Sequence, residues 1–464
     1  FITSYRIYII LWNFNFMMGG YSSASSIFVF LNYHYNKMKQ NAVVAQSGGP
    51  SPVINASLAG VLKGCTEHPD EIETVFAAWH GVEGVLQEEL INMNQQSQVE
   101  LDLLMTTPAS GAIGTCRYKL RPDMHEDYDR ILEVFRAHNV GYFFYIGGND
   151  SMDTADKISE LASARGYDLV VAGVPKTIDN DLGDEEFTLI DHTPGYGSTA
   201  RYWMSIISDA NQENQAISTS ECVCVLQAMG RSAGFIPAAA RLADPERRMP
   251  LQIYTVESDH NLESLHDNVN RQLDRTGRCI VVVSEGFDVG NIGAAYDRFG
   301  HIEYGASKQA TAQVVANYLN EQGLNARGQA SWQVPGILQR STSLSLSSVD
   351  ANEAFTVGRK AVEIAMSDGS GYMATMLRKP GNTYQLYYDK VPLEKVAVSA
   401  RQLPKNWLSS DGLDVTDDFV RYAMPLVGEE WVEIPLENGR PRFSRLKIEF
   451  EEKKCREYIP LLYR

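Results

Sequence analysis

Asp168-Leu169-Val170-Val171-Ala172-Gly173-Val174 runs straight into Pro175-Lys176-Thr177-Ile178-Asp179-Asn180-Asp181. The first seven residues read as a short buried strand, apolar and ending without a helical period. The next seven crowd a cation, a hydroxyl and two carboxylates onto its carboxyl end, where open α/β sheets place their ligands. An Asx-rich turn explains Asn180 and the aspartates, but it gives no reason for Lys176-Thr177 ahead of them. A phosphoryl-transfer site accounts for both.

Outward from this stretch, apolar runs alternate with helical patterns. NAVVAQ ends at Gln46 and precedes a helix from about residue 52; TVFAAW follows, then a helix near 127–138, VGYFFYIGG and a helix near 151–164. Beyond DLVVAGV come a helix near 197–211, CVCVLQAM, a helix near 232–242, LQIYTV, a helix near 259–275 and CIVVVSEG. Such alternation predicts a doubly wound α/β fold with mostly parallel sheets. No Pro/Ser linker divides the chain after residue 38, so two domains would be closely apposed and exchange segments. Beyond about residue 385 the pattern weakens.

Composition narrows the chemistry. At 464 residues and a net charge of −17 the chain has no basic field to attract a polyanion, so nucleic acid and anionic membrane are excluded as partners and any phosphate site must be locally basic. Its cysteines form no C-x-x-C pair and its histidines no H-E-x-x-H, so reduced thiols, a cytoplasmic location and no transition metal are expected. Residues 1–37 are a compositional outlier with only Arg6 and Lys37 charged; Met38 before the first clean strand suggests the native start, and 1–37 is read as an upstream extension.

Ser47-Gly48-Gly49-Pro50-Ser51-Pro52 joins the first strand to its helix, with Ser51 as expected N-cap and Pro52 at the first helical position. Strand, glycine turn and helix N-terminus make a phosphate cradle. Gly147-Gly148-Asn149-Asp150-Ser151 repeats the device, and a carboxylate at Asp150 limits how many phosphates a donor can carry. Between them, Arg117 offers a planar fork and Lys119 a point charge to phosphate. Met229-Gly230-Arg231 and Ser284-Glu285-Gly286 each put a polar side chain at a strand end, Arg231 suited to phosphate and Glu285 to hydroxyls; Gln339-Arg340 adds a second clamp.

A hydroxyl attacking phosphorus needs a base and cations around the transferring oxygens. Asp179, with a carboxylate pKa near the ordinary value of about 4, is the candidate base. Lys176 is the candidate cation, and Asp181 would bind magnesium through water or position the loop.

The set GGP-S-P, GGND, PKTIDND, MGR, SEG and PGILQR, in this order over roughly 300 residues, resembles the 6-phosphofructokinase family. The resemblance implies two apposed Rossmann-like three-layer α/β/α domains with the active site in the cleft between them. Residues 38–190, completed by part of 340–420, would bind the donor; residues 191–339, completed by part of 420–464, would bind fructose 6-phosphate. It further implies Asp179 as base; Thr177, Ile178, Met229, Gly230, Arg231, Glu285, Ile337 and Arg340 around the sugar phosphate; Gly48, with Arg117 and Lys119, against the donor phosphates; Mg2+ as cofactor; and a homo-oligomer, a dimer being favoured.

Within the family, Asp150 and Lys176 stand where ATP-using members typically carry glycines and pyrophosphate-using members carry Asp and Lys. The resemblance therefore implies reversible transfer from pyrophosphate to the C1 hydroxyl of fructose 6-phosphate, serving glycolysis and gluconeogenesis. Alternatives are ATP as donor, another sugar or lipid kinase with a similar glycine loop, or a phosphosugar-binding regulator without catalysis. Three positions depart from the family pattern: Asn149 where an aspartate linked to magnesium is frequent, Ile337 in place of His or Tyr, and Cys222 where many ATP-using bacterial members carry an Arg from a neighbouring subunit.

Overall fold

Every residue of the strand Gln40–Gln46 beyond its first two is buried, and alternate side chains enter different cores: Val43 and Ala45 one, Ala42 and Val44 the other. A strand covered on both faces belongs to a parallel sheet flanked by helices, and the computed structural model builds two such sheets. It describes residues 39–290, 309–397 and 399–464; the expectation about residues 1–37 lies outside them.

The strands of these two sheets are β1 (Gln40–Gln46), β2 (Ile72–Ala78), β3 (Leu90–Asn92), β4 (Val140–Gly147), β5 (Val170–Pro175), β6 (Val223–Ala228), β7 (Leu251–Tyr254), β8 (Cys279–Ser284), β9 (Ala330–Gln333), β10 (Tyr372–Arg378) and β11 (Leu386–Pro392). The first sheet has seven strands in the order β11-β10-β5-β4-β1-β2-β3. Only its outer pairs, β10 with β11 and β2 with β3, are antiparallel. The second sheet, β7-β8-β6-β9, is parallel throughout.

The predicted alternation is present with strand ends shifted by up to two residues. The helix expected near 232–242 is cut to Phe235–Ala238 and continues as a 3-10 turn through Ala243, with Pro237 inside the first piece. Late segments return to early ones. Helix Ser348–Ser367 packs along helix Ile54–Thr66, where a Cβ on Gly60 would stand 2.0 Å from the Phe355 carbonyl oxygen, so only glycine permits the approach. Helix Asp417–Val427 buries Phe419, Ala423 and Leu426 in the core on one face of the second sheet. Residues from Leu446 to Leu461 instead pack on the first sheet, where Phe450 bridges to Ile91. Among the described residues no helix is long and apolar enough to cross a membrane.

Candidate active site

The chain leaves β1 toward β2 and later returns to β4 on the other side of β1. The loops after β1 and β4 therefore diverge at a switch point, and β5 brings the Lys176 turn next to them, with Gly147 paired to Pro175. The loop carrying Arg117 is tied alongside: Gly48 N–H donates to the Cys116 carbonyl at 2.9 Å, and the Thr115 hydroxyl to the Gly48 carbonyl at 2.9 Å.

Three cations close on this glycine loop. A Cβ added to Gly49 would meet Arg340 Nη1 at 2.8 Å and Arg117 Nη2 at 3.7 Å, and one added to Gly48, whose φ is +79°, would meet Lys176 Nζ at 3.3 Å. Lys176 is buried and its Nζ donates to the Gly49 carbonyl at 2.6 Å. Burial pulls its pKa down to about 8, against the pull of Asp179 and with a push from Arg340 and Arg117. A chain of net charge −17 thus holds a concentrated cationic patch where glycine leaves room for oxygens.

Carboxylates face it. Asp179 is half-buried, and burial, then Asp181 and Glu285, raise its pKa to about 7, outweighing Lys176 and Arg231. This corrects the sequence expectation of an ordinary value: the turn places a second carboxylate two residues on, and the second sheet adds a third. A carboxylate poised near neutrality is well matched to take a proton from a hydroxyl. Glu285 is also pushed up by burial, with Arg231, Arg340 and Arg117 opposing.

The Arg231 and Glu285 loops emerge from paired strands, Ala228 opposite Ser284. Glu285 N–H donates to the Ala228 carbonyl at 2.8 Å, and the Ser284 hydroxyl to the Gly230 carbonyl at 2.6 Å, so the Arg231 and Glu285 loops are tied together.

Two helices start at the glycine loops of the site. Helices Ile54–Thr66 and Asn149–Ala164 start at Val53 and Gly148 without a side-chain cap, leaving their first N–H groups without a side-chain acceptor. Helix Tyr196–Ile217 instead has its start held by buried Asp350, which accepts from Gly195 N and Ser198 N at 2.8 Å each. Ser51, expected as a cap, is not one: the chain makes an extra turn at Pro52-Val53, and the Ser51 hydroxyl is buried without a protein partner.

The phosphofructokinase family model matches residues 41–365. The chain belongs to that family. A pyrophosphate–fructose 6-phosphate 1-phosphotransferase of Halomonas elongata is 37% identical over 434 residues, covering 90% of this chain and 99% of its own. One of Methylococcus capsulatus is 38% identical over 418 residues, covering 88% and 96%. The crystal structure of the pyrophosphate-dependent phosphofructokinase of Marinobacter aquaeolei is similar with a TM-score of 0.79 at 36% identity, covering 91% of this chain and all of that one.

In this member of the phosphofructokinase family, Arg117, Lys176, Asp179, Glu285 and Arg340 converge with the Gly48 loop. Thr177 holds the Lys176–Asp181 turn: its hydroxyl accepts from Asp179 N–H at 3.1 Å, and its carbonyl from the Thr193 hydroxyl at 2.8 Å. Ile178 is buried in the core below. Lys119 and Asp150 meet each other, Nζ to Oδ1 at 2.8 Å, both side chains largely exposed at the mouth. Asn149 turns its amide to the Ser399 carbonyl. Ile337, 63% exposed, stands at the start of the short helix Leu338–Ser341, away from burial of any kind. Gln339 is no phosphate clamp. It is buried, and its Oε1 accepts from Trp203 Nε1 at 3.1 Å and Met229 N at 2.9 Å, fixing the Met229-Gly230 loop. Sequence reasoning missed Arg401, buried against the Lys176–Asp181 turn in the region of weak periodicity, where a lone arginine carries no pattern.

Proposed function

We propose that this protein reversibly transfers a phosphoryl group from pyrophosphate to the C1 hydroxyl of fructose 6-phosphate, giving fructose 1,6-bisphosphate and phosphate. The observation that carries the reading is the Gly48-Gly49 loop ringed by Lys176, Arg117 and Arg340 with Asp179 beside it. The near full-length likeness to enzymes named for this reaction supports it.

The first sheet presents the donor half and the second the acceptor half. Arg117 and Lys119 grip pyrophosphate oxygens against the Gly48 backbone, Arg340 reaches the sugar phosphate, uncapped helix starts add N–H donors, and Lys176 offsets charge on the transferring group. Asp179 takes the C1 hydroxyl proton as the oxygen attacks phosphorus. Thr177, Ile178, Met229, Gly230, Arg231, Glu285 and Ile337 frame the sugar phosphate. Asp150, paired with Lys119, occupies the space that an α-phosphate would need and sets a carboxylate against it, which selects the shorter donor.

Among the described residues no group of three or more His, Cys, Asp or Glu stands ready to cage a metal. That fits Mg2+, which keeps waters and binds through one or two carboxylates plus substrate phosphates. Asp181 would hold it, with Asn149 as a neutral oxygen ligand, and the ion would neutralise phosphate charge. A homo-oligomer, a dimer first, and a cytoplasmic setting complete the reading.

Initial rates with fructose 6-phosphate and Mg2+, comparing pyrophosphate with ATP, test it. Turnover with pyrophosphate alone is expected. Turnover mainly with ATP overturns the donor assignment, and turnover with neither overturns the reaction.

A further inference from the structure

Arg401 is among the largest fully buried side chains described. Its backbone N–H donates to the Asp181 carbonyl at 2.9 Å. Its guanidinium then divides three ways: Nε to the Asn180 carbonyl at 2.7 Å, Nη1 to the Ile190 carbonyl at 2.8 Å, and Nη2 to Asn180 Oδ1 at 2.6 Å. These partners are all neutral oxygens. Phe187 lies 4.4 Å from the guanidinium and Phe235 5.5 Å, both on the faces where aromatic rings attract a cation.

The residue gripped twice is Asn180, next to Asp179. Its φ of +56° is a left-handed conformation that Asn tolerates but few side chains adopt. The same Oδ1 accepts from Thr193 N at 3.0 Å, and Nδ2 donates to the Tyr422 hydroxyl at 2.9 Å. A guanidinium held by both the backbone and side chain of one residue fixes that residue's dihedral angles. Asp179 is aimed by them.

The segment around Arg401 reaches the other two loops of the site. The Ser399 carbonyl accepts from the Asn149 amide, and the Ser399 hydroxyl from Gly183 N at 3.2 Å. Leu403 N donates at 2.9 Å to Glu257 Oε1, which also accepts from Gly234 N at 2.8 Å, three residues past Arg231. Five residues thus tie donor loop, catalytic turn and acceptor loop together.

We infer that Arg401 is a positioning residue for phosphoryl transfer, locking the Asp179 turn through Asn180 while its flanks Ser399 and Leu403 hold the donor and acceptor loops in register with it. The inference rests on Asp179 as the base. A lysine cannot replace it, because one nitrogen does not span three acceptors set apart by the fork.

The test is a double-mutant cycle of Arg401→Lys and Asn180→Gly, with Asp179→Asn alongside. Glycine keeps the left-handed φ without strain and deletes the clamped amide. Each single variant is expected to lower kcat at least about tenfold while moving KM for either substrate less than about threefold, since misaimed groups lose rate before binding. The double variant is expected to be no worse than the poorer single, as for residues acting as one unit. Multiplicative losses, or wild-type kcat in Asn180→Gly, overturn the inference; the latter decides even where Arg401→Lys fails to fold. An active Asp179→Asn enzyme sinks the base assignment instead, which separates the two failures.

Discussion

At the scale of single residues, the chemistry turns on how the protein tolerates Lys176 in a buried place. Its Nζ keeps one firm partner, the Gly49 carbonyl, and two arginines press on it. Such a cation is costly when the site holds no anion and strongly attracted when phosphate enters. Lys176→Met, of similar length and apolar, should leave the melting temperature unchanged or higher while removing about 2–4 kcal/mol of transition-state stabilisation, at least about thirtyfold in kcat/KM. Steady-state kinetics beside a thermal melt checks this; a change under about threefold would mean that Lys176 is not aimed at the reacting phosphate. Lys176, Asp179 and Arg117 were legible because a motif keeps chemistry-bearing residues close in sequence. The raised pKa of Asp179 was not, since its largest cause is burial, which only the fold creates, and after the neighbouring Asp181 the next is Glu285, from a different sheet over a hundred residues later.

At the scale of elements, strands and helices were readable where burial imposes a period, and unreadable where single side chains do the holding. The C-terminal stretch is of the second kind. Glu88, buried with φ +59°, accepts from Lys454 N at 2.5 Å and Cys455 N at 3.1 Å while facing His138 at 2.7 Å and Arg130 at 3.6 Å. Asp127 takes the Tyr458 hydroxyl at 2.7 Å and Leu461 N at 3.2 Å, and its other oxygen takes Tyr118 OH at 2.5 Å, between Arg117 and Lys119. No hydrophobic period announces an attachment of this sort. Glu88→Gln keeps an acceptor for the backbone amides but removes the charge facing His138 and Arg130. It should cost about 1–3 kcal/mol in urea unfolding, and proteolysis should then cut first between residues 445 and 464. A stability loss below about 0.5 kcal/mol with an unchanged cleavage pattern would show that the tail is held by other contacts.

At the scale of the whole molecule, segments distant in sequence meet at His192. The ring is buried, Nδ1 2.9 Å from Asp191 and Nε2 2.8 Å from Glu353 on helix Ser348–Ser367. Arg378 on β10 pairs with Asp191 at 3.0 Å, and the Tyr384 hydroxyl donates to Glu353 at 2.6 Å. Burial opposes charge on the ring, but Glu353 and Asp191 outweigh it and raise its pKa from 6.5 to about 9. A folded-state pKa above the unfolded one stabilises the protein fully below the unfolded value and loses that contribution as pH climbs through the folded one. His192 should therefore contribute about 3 kcal/mol below pH 6.5 that disappears by about pH 9. Asp179, raised to about 7, adds a decline of the same sign at lower pH, whereas Lys176, lowered to about 8, works in the opposite sense above pH 8. Comparing wild type with His192→Gln at each pH cancels both. The variant should be less stable near pH 6, because two buried carboxylates lose their cation, and the gap should close as pH approaches 9. A gap independent of pH would mean that the ring sits there neutral, joining the segments by hydrogen bonds alone.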